Sequence, residues 1–82
     1  MDKKEEYDKL KRRISNVRFS NLCKIVELFG FKLKGMKGSH RIYMREDVRE
    51  ILNFQEVKGM AKPYQVRQFL RIVENYNLLE RD

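Results

Sequence analysis

The chain has one histidine, His40, and one cysteine, Cys23. An imidazole exchanges protons near neutral pH without special tuning, so His40 is the first residue to weigh for acid–base work. Cations surround it in the sequence. Lys37 and Arg41 flank it, Lys32 and Lys34 lie just upstream, and residues 31–45 contain no acid. RNA carries its own nucleophile, the ribose 2′-hydroxyl. Cleaving it takes a group that moves a proton and cations that stabilise the phosphorane. One imidazole in a cationic patch meets that requirement without a metal. The same residues also suit an ordinary strand histidine on a solvated face, and spacing alone leaves both readings open.

A second cationic element is Lys58-Gly59-Met60-Ala61-Lys62, just before Pro63. Proline is favoured at the first position of a helix, and the free N–H groups there attract anions. Lys58 and Lys62 beside such a helix start would seat a phosphate, or would be simply solvated. Other chemistries find no support. One Cys and one His exclude an intramolecular disulfide and a cysteine-cluster zinc site. Cys23 falls beside a buried helical stripe, as a small core residue does. Gly35 and Gly38 sit inside a hairpin pattern, not between strand and helix, so no nucleotide-binding glycine loop is present. Glu46-Asp47 has no partner motif for magnesium. No metal or cofactor is expected.

The elements that must position these residues follow from periodicity. Lys3 to about Ser15 reads as a helix with a narrow stripe of Tyr7, Leu10 and Ile14. Ser20 is placed to cap a second helix, with Leu22, Ile25, Val26 and Phe29 on one face and Gly30 closing it. From Phe31 the period changes to two. Phe31 and Leu33 alternate with Lys32 and Lys34 as in a half-buried strand. Gly35-Met36-Lys37-Gly38 reads as the turn of a hairpin. The second strand runs from Ser39 to about Arg45, with His40, Ile42 and Met44 on one face and Arg41, Tyr43 and Arg45 on the other. Residues 46–50 form a loop. Ile51 to Lys58 is a third strand, with Leu52 and Phe54 opposite Asn53 and Gln55. Residues 58–62 read as a loop, and Pro63 opens a last helix with Val66, Phe69, Leu70, Val73 and Tyr76 buried. The order α-α-β-β-β-α gives an α+β two-layer domain: a three-stranded antiparallel sheet with helices on one face.

Length and charge bound the rest. The 82 residues allow one domain. Lys and Arg number 19 against 12 Asp and Glu, a net charge of +7. That excess points to a polyanionic partner, most often nucleic acid, with an acidic protein as the alternative. Apolar runs are too short for a membrane span, the charged start does not resemble a signal peptide, and the expected compartment is the cytoplasm.

The segments Phe19-Ser20-Asn21-Leu22-Cys23, Lys37-Gly38-Ser39-His40-Arg41-Ile42-Tyr43, Asn53-Phe54-Gln55 and Lys62-Pro63-Tyr64-Gln65-Val66 together resemble the HicA toxin family, over roughly residues 17–77. The resemblance implies a fold like the double-stranded-RNA-binding domain, with residues 1–16 as an additional N-terminal helix and 17–77 as the core. It implies a ribosome-independent endoribonuclease that cleaves mRNA, paired with a HicB-like antitoxin that covers the active face. His40 corresponds to the family histidine. Lys34, Lys37, Ser39, Arg41, Lys58 and Lys62 are then the expected RNA- and phosphate-binding residues. Many members carry a second histidine directly after the first, and here that position is Arg41. Two-histidine acid–base catalysis is therefore not expected within one chain, and Lys62, Lys58, Tyr43 or water must protonate the leaving oxygen. The alternatives are a non-catalytic RNA-binding module that uses the same basic hairpin, and a subunit that only docks an acidic protein.

Overall fold

Asp2 starts the first helix: its carboxylate accepts the Lys4 N–H at 3.1 Å, satisfying one of the donors that a helix start leaves free. In the computed structural model, which describes residues 1–81, α1 spans Lys3–Arg12. It ends before Ser15, because Ile14, Ser15 and Asn16 are poor helix formers and the chain turns with Asn16 N–H on Arg13 O at 2.8 Å. Tyr7 and Leu10 are buried and Ile14 packs on their edge. The Tyr7 hydroxyl donates to Glu74 of the last helix.

Residues Val17 to Phe19 are more than a connector. Ala61 N–H donates to Val17 O at 2.8 Å and Phe19 N–H to Gly59 O at 3.0 Å. The extended backbone this requires makes Arg18, not Ser20, the residue before α2 (Phe19–Leu28). Ser20 lies inside the first turn. Leu22, Cys23, Ile25 and Val26 are buried as the stripe demands. Gly30 closes the helix at φ +90°, and Arg45 reaches back to the carbonyl of Phe29, placing a cation at the negative end of the helix.

The sheet is antiparallel, in the order β1 (Lys32–Lys37), β2 (His40–Met44), β3 (Leu52–Val57), β4 (Met60–Ala61). It therefore has four strands where the sequence suggests three. Residues 58–62 are not a loop: Lys58 (φ +52°) and Gly59 (φ +79°) form a tight turn, of the kind with two left-handed residues that suits hairpin twist. Met60 and Ala61 pair with Val57 and Glu56. Two residues are too few for an alternating pattern to register.

The first hairpin also differs from the periodic reading. β1 runs on to Lys37, and the loop is only Gly38-Ser39, with Gly38 at φ +58°. A register shift between Leu33 and Gly35 makes Lys34 a bulge. Leu33 pairs with Tyr43 but is exposed, on a strand that lies at the edge of the sheet. Phe31 is buried just before the strand, against Phe69.

The last helix, α3, spans Pro63–Asn75 with Pro63 in its first turn. Its stripe of Val66, Phe69, Leu70 and Val73 is buried, joined by Gln65 and Ile72. The three helices cover the sheet face that carries Tyr43, Leu52 and Phe54, whose side chains are fully buried. The opposite face is open.

Candidate functional site

Cross-strand partners share a face, so register places the side chains of the open face. One row across β1, β2 and β3 is Lys37, His40 and Gln55; the next is Gly35, Ile42 and Asn53. The two-residue Gly38-Ser39 loop holds Lys37 directly opposite His40.

His40 is half-buried, and its Nδ1 lies 3.1 Å from Asn53 Oδ1. An amide oxygen only accepts, so this contact keeps the proton on Nδ1 and leaves the Nε2 lone pair free. Beside it, Gln55 accepts a hydrogen bond from Lys62 Nζ at 2.6 Å. The row thus runs from one ammonium, Lys37, through the imidazole to the neighbour of a second, Lys62.

What holds this part of β3 straight is a buried amide. β4 is only two residues long, so Asn53 O and Gln55 N–H have no strand beside them. Gln65, in the first turn of α3 and 2% exposed, takes that place. Its Oε1 accepts the Gln55 N–H at 3.2 Å and its Nε2 donates to Asn53 O at 2.9 Å. The side chain thus does the work of a paired residue. It also locks α3, with Lys62 and Tyr64, to the strand that orients His40. The Lys62 ammonium lies 5.9 Å from the Tyr64 ring, which is exposed.

The expected site residues therefore divide. His40, Lys37 and Lys62 come together on the open face. Ser39 is on the adjoining turn, where its carbonyl accepts the Glu56 N–H at 3.0 Å. Lys34 is exposed at the β1 bulge, and Lys58 at the turn between β3 and β4, separated from Lys62 by β4. Arg41 is elsewhere. Successive strand residues point to opposite faces, and Arg41 lies under α2, with its guanidinium 5.7 Å from the Phe19 ring. Tyr43 is excluded as a proton donor to substrate, being fully buried with its hydroxyl on Glu27 at 2.7 Å. Burial, then the bond to Glu27, pushes its phenol well above the ordinary value. Burial likewise raises the Cys23 thiol, which keeps it protonated and suits a core residue.

Asn53, Gln55, Gln65 and Tyr64 are the site residues that sequence reasoning does not single out. The polar face of the third strand is readable in the alternation, but which of its residues meets His40 depends on register. Among the described residues, no three Asp, Glu, His or Cys side chains gather as metal ligands.

No curated protein and no solved structure matches the chain. A family match does exist. Residues 19–74 fit the family described as the HicA toxin of bacterial toxin–antitoxin systems. That segment begins at the first residue of α2, ends in α3, and contains His40, Asn53, Gln55, Lys62 and Gln65. It covers about two thirds of the chain, so the protein belongs to the HicA toxin family, the toxins of bacterial toxin–antitoxin systems.

Proposed function

We propose that this toxin is a metal-independent endoribonuclease that cleaves single-stranded mRNA in the cytoplasm, with His40 as its acid–base group. One observation carries the reading: His40 sits on an open sheet face between two lysines, with Nδ1 held by Asn53 and Nε2 free. In the proposed step Nε2 takes the proton of a ribose 2′-hydroxyl. The oxygen attacks the adjacent phosphorus, a 2′,3′-cyclic phosphate forms, and the bond to the 5′-oxygen breaks. Lys37 and Lys62 neutralise charge that builds on the phosphorane. The leaving oxygen takes its proton from Lys62 or water. Ser39, Lys34 and Lys58 lie further out and bind flanking phosphates. Tyr64 offers a ring on which a neighbouring base stacks, an interaction that tolerates any sequence. The open four-stranded sheet backed by helices supports the double-stranded-RNA-binding-domain-like fold that the family resemblance implies.

The antitoxin in this reading is a HicB-like protein that covers the same face, which displays Ile42, Met44 and Val57 between the cations. The test is incubation of purified protein with labelled RNA, with and without EDTA. Cleavage that persists in EDTA and ends in cyclic phosphate supports the mechanism. RNA that is bound but left intact would make the protein a binding module, and a divalent-ion requirement would overturn the metal-free step.

A further inference from the structure

A second cationic region lies outside the His40 site. A groove of about 790 Å³ runs between α1, the following turn and the start of α2. Lys9, Arg12, Arg13, Arg18 and Lys24 line it, with Glu6 the one acid. Glu6 lies 3.6 Å from Lys9. The other four cations are exposed and have no ion-pair partner among the described residues. Four unpaired positive charges around one concavity repel each other, and a polyanion relieves that repulsion.

The groove is continuous with the open sheet face. Arg18 bridges to Met60, and Met60 pairs with Val57, so these side chains share a face. Val57 is two residues along β3 from Gln55, the partner of His40. Three strand spacings of about 4.8 Å and one two-residue step of about 6.8 Å separate Arg18 from His40. A nucleic-acid strand that leaves His40 past Lys62 crosses β4 at Met60 and meets Arg18 at the mouth of the groove.

We propose that this groove is an auxiliary binding site for the phosphate backbone of the RNA, extending the contact beyond the cleavage site. The inference rests on the nuclease reading for its ligand. The groove is built largely by residues before position 19, outside the family segment. Its apolar residues Leu10, Val17 and Ile25 are buried in the floor, and only Met60 is partly exposed. A docked acidic polypeptide would draw on exposed apolar anchors, whereas a backbone needs only spaced cations, as here.

The test uses the full chain carrying His40→Ala, so that RNA survives. Arg12→Gln, Arg13→Gln and Lys24→Gln are combined, and binding to a short and a long labelled oligouridine is measured across salt concentrations. Arg67→Gln with Arg71→Gln and Lys11→Gln, outside the groove, removes equal charge as the control. Each lost single-strand phosphate contact lowers the salt slope by about 0.7, so the groove variant loses about 2 on the long strand. On the short strand the groove variant keeps the wild-type slope, and the control variant loses less than the groove variant on the long strand. Equal losses in groove variant and control, or an unchanged slope on the long strand, would overturn the groove. So would a groove variant that binds RNA normally but no longer binds polyglutamate. Failure of the wild type to cleave would instead sink the nuclease reading, leaving the groove measurement intact.

Discussion

His40 and Tyr43 lie three residues apart on β2 and face opposite ways. Both make one side-chain hydrogen bond to a neighbouring element, His40 to Asn53 and Tyr43 to Glu27. The difference is solvent. Tyr43 is fully buried among Phe54, Cys23 and Arg41, where its polar tip has no exchange with water and its bond serves packing. His40 keeps one ring nitrogen unengaged on a face that no helix covers. If His40 acts as proposed, the two sides of one strand separate stability from chemistry, and Arg41, though next to His40 in sequence, falls on the side that α2 covers.

The sharpest way to break this contrast is His40→Ala. It should lower RNA cleavage by roughly 10²–10⁴-fold, the range for losing a general acid–base group. The melting temperature should fall by no more than about 2–4 °C, since a half-buried surface side chain contributes about 0.5 kcal/mol or less. Activity and growth arrest that survive the change would end the assignment. Tyr43→Ala should do the reverse. Removing a buried aromatic costs about 3–5 kcal/mol, and a domain of this size holds only about 5–15 kcal/mol. Urea melts should show a large fall in midpoint, with activity lost only in proportion to the unfolded fraction.

Asn53→Ala tests whether the open face has an order of its own. Without the amide the imidazole can rotate and change tautomer. A misplacement of about 1 Å can cost up to roughly 10²-fold in rate. The loss should appear in kcat more than in KM, and Asn53→Asp should shift the pH–rate profile by adding a charge beside the ring. If Asn53→Ala cleaves normally with an unchanged profile, His40 needs no orienting partner.

Much of this contrast is readable in the sequence, and the unreadable parts have physical causes. The stripes Leu22, Ile25, Val26, Phe29 and Val66, Phe69, Leu70, Val73 point to two helices because each sums several apolar side chains at one period. Leu52 and Phe54 identify the inner face of β3 in the same way. Strand β2 gives a split answer: Ile42 and Met44 on one side compete with Tyr43 on the other. Alternation separates His40 from Arg41 but does not say which side the helices cover. Leu33 misleads because strand alternation says nothing about whether the strand lies at an edge. Gln65 defeats pattern reading for another reason. A glutamine on the inner side of a helix scores as an error, yet here it replaces the missing length of β4.

Gln65 joins the two faces, which makes it the next test. Gln65→Leu keeps the volume but leaves Asn53 O and Gln55 N–H unpaired, at about 1–3 kcal/mol for a buried unsatisfied group. It should lower stability by that order and also reduce cleavage at temperatures where the protein is fully folded, because Asn53 loses its anchor. A variant that is destabilised yet fully active when folded would show that α3 supports the sheet without tuning the site.

The smallest expected effect lies entirely within the covered side, at Tyr7. Burial, then the hydrogen bond to Glu74 and that carboxylate's charge, raise the Tyr7 phenol from 10.0 to about 12. The neutral form is thus favoured more in the folded chain than in the unfolded one. Linkage then gives a stabilisation that is complete below pH 10 and is lost as pH rises towards 12. Tyr7→Phe removes both the bond and the titration. The melting temperature of the variant should lie slightly below that of the wild type at pH 8, and the gap should close between pH 10 and 12. Cleavage at pH 8 should be unchanged, since α1 meets α3 on the far side of the sheet from His40. A gap that stays constant through that range would mean the Tyr7–Glu74 contact does not hold the helix in solution.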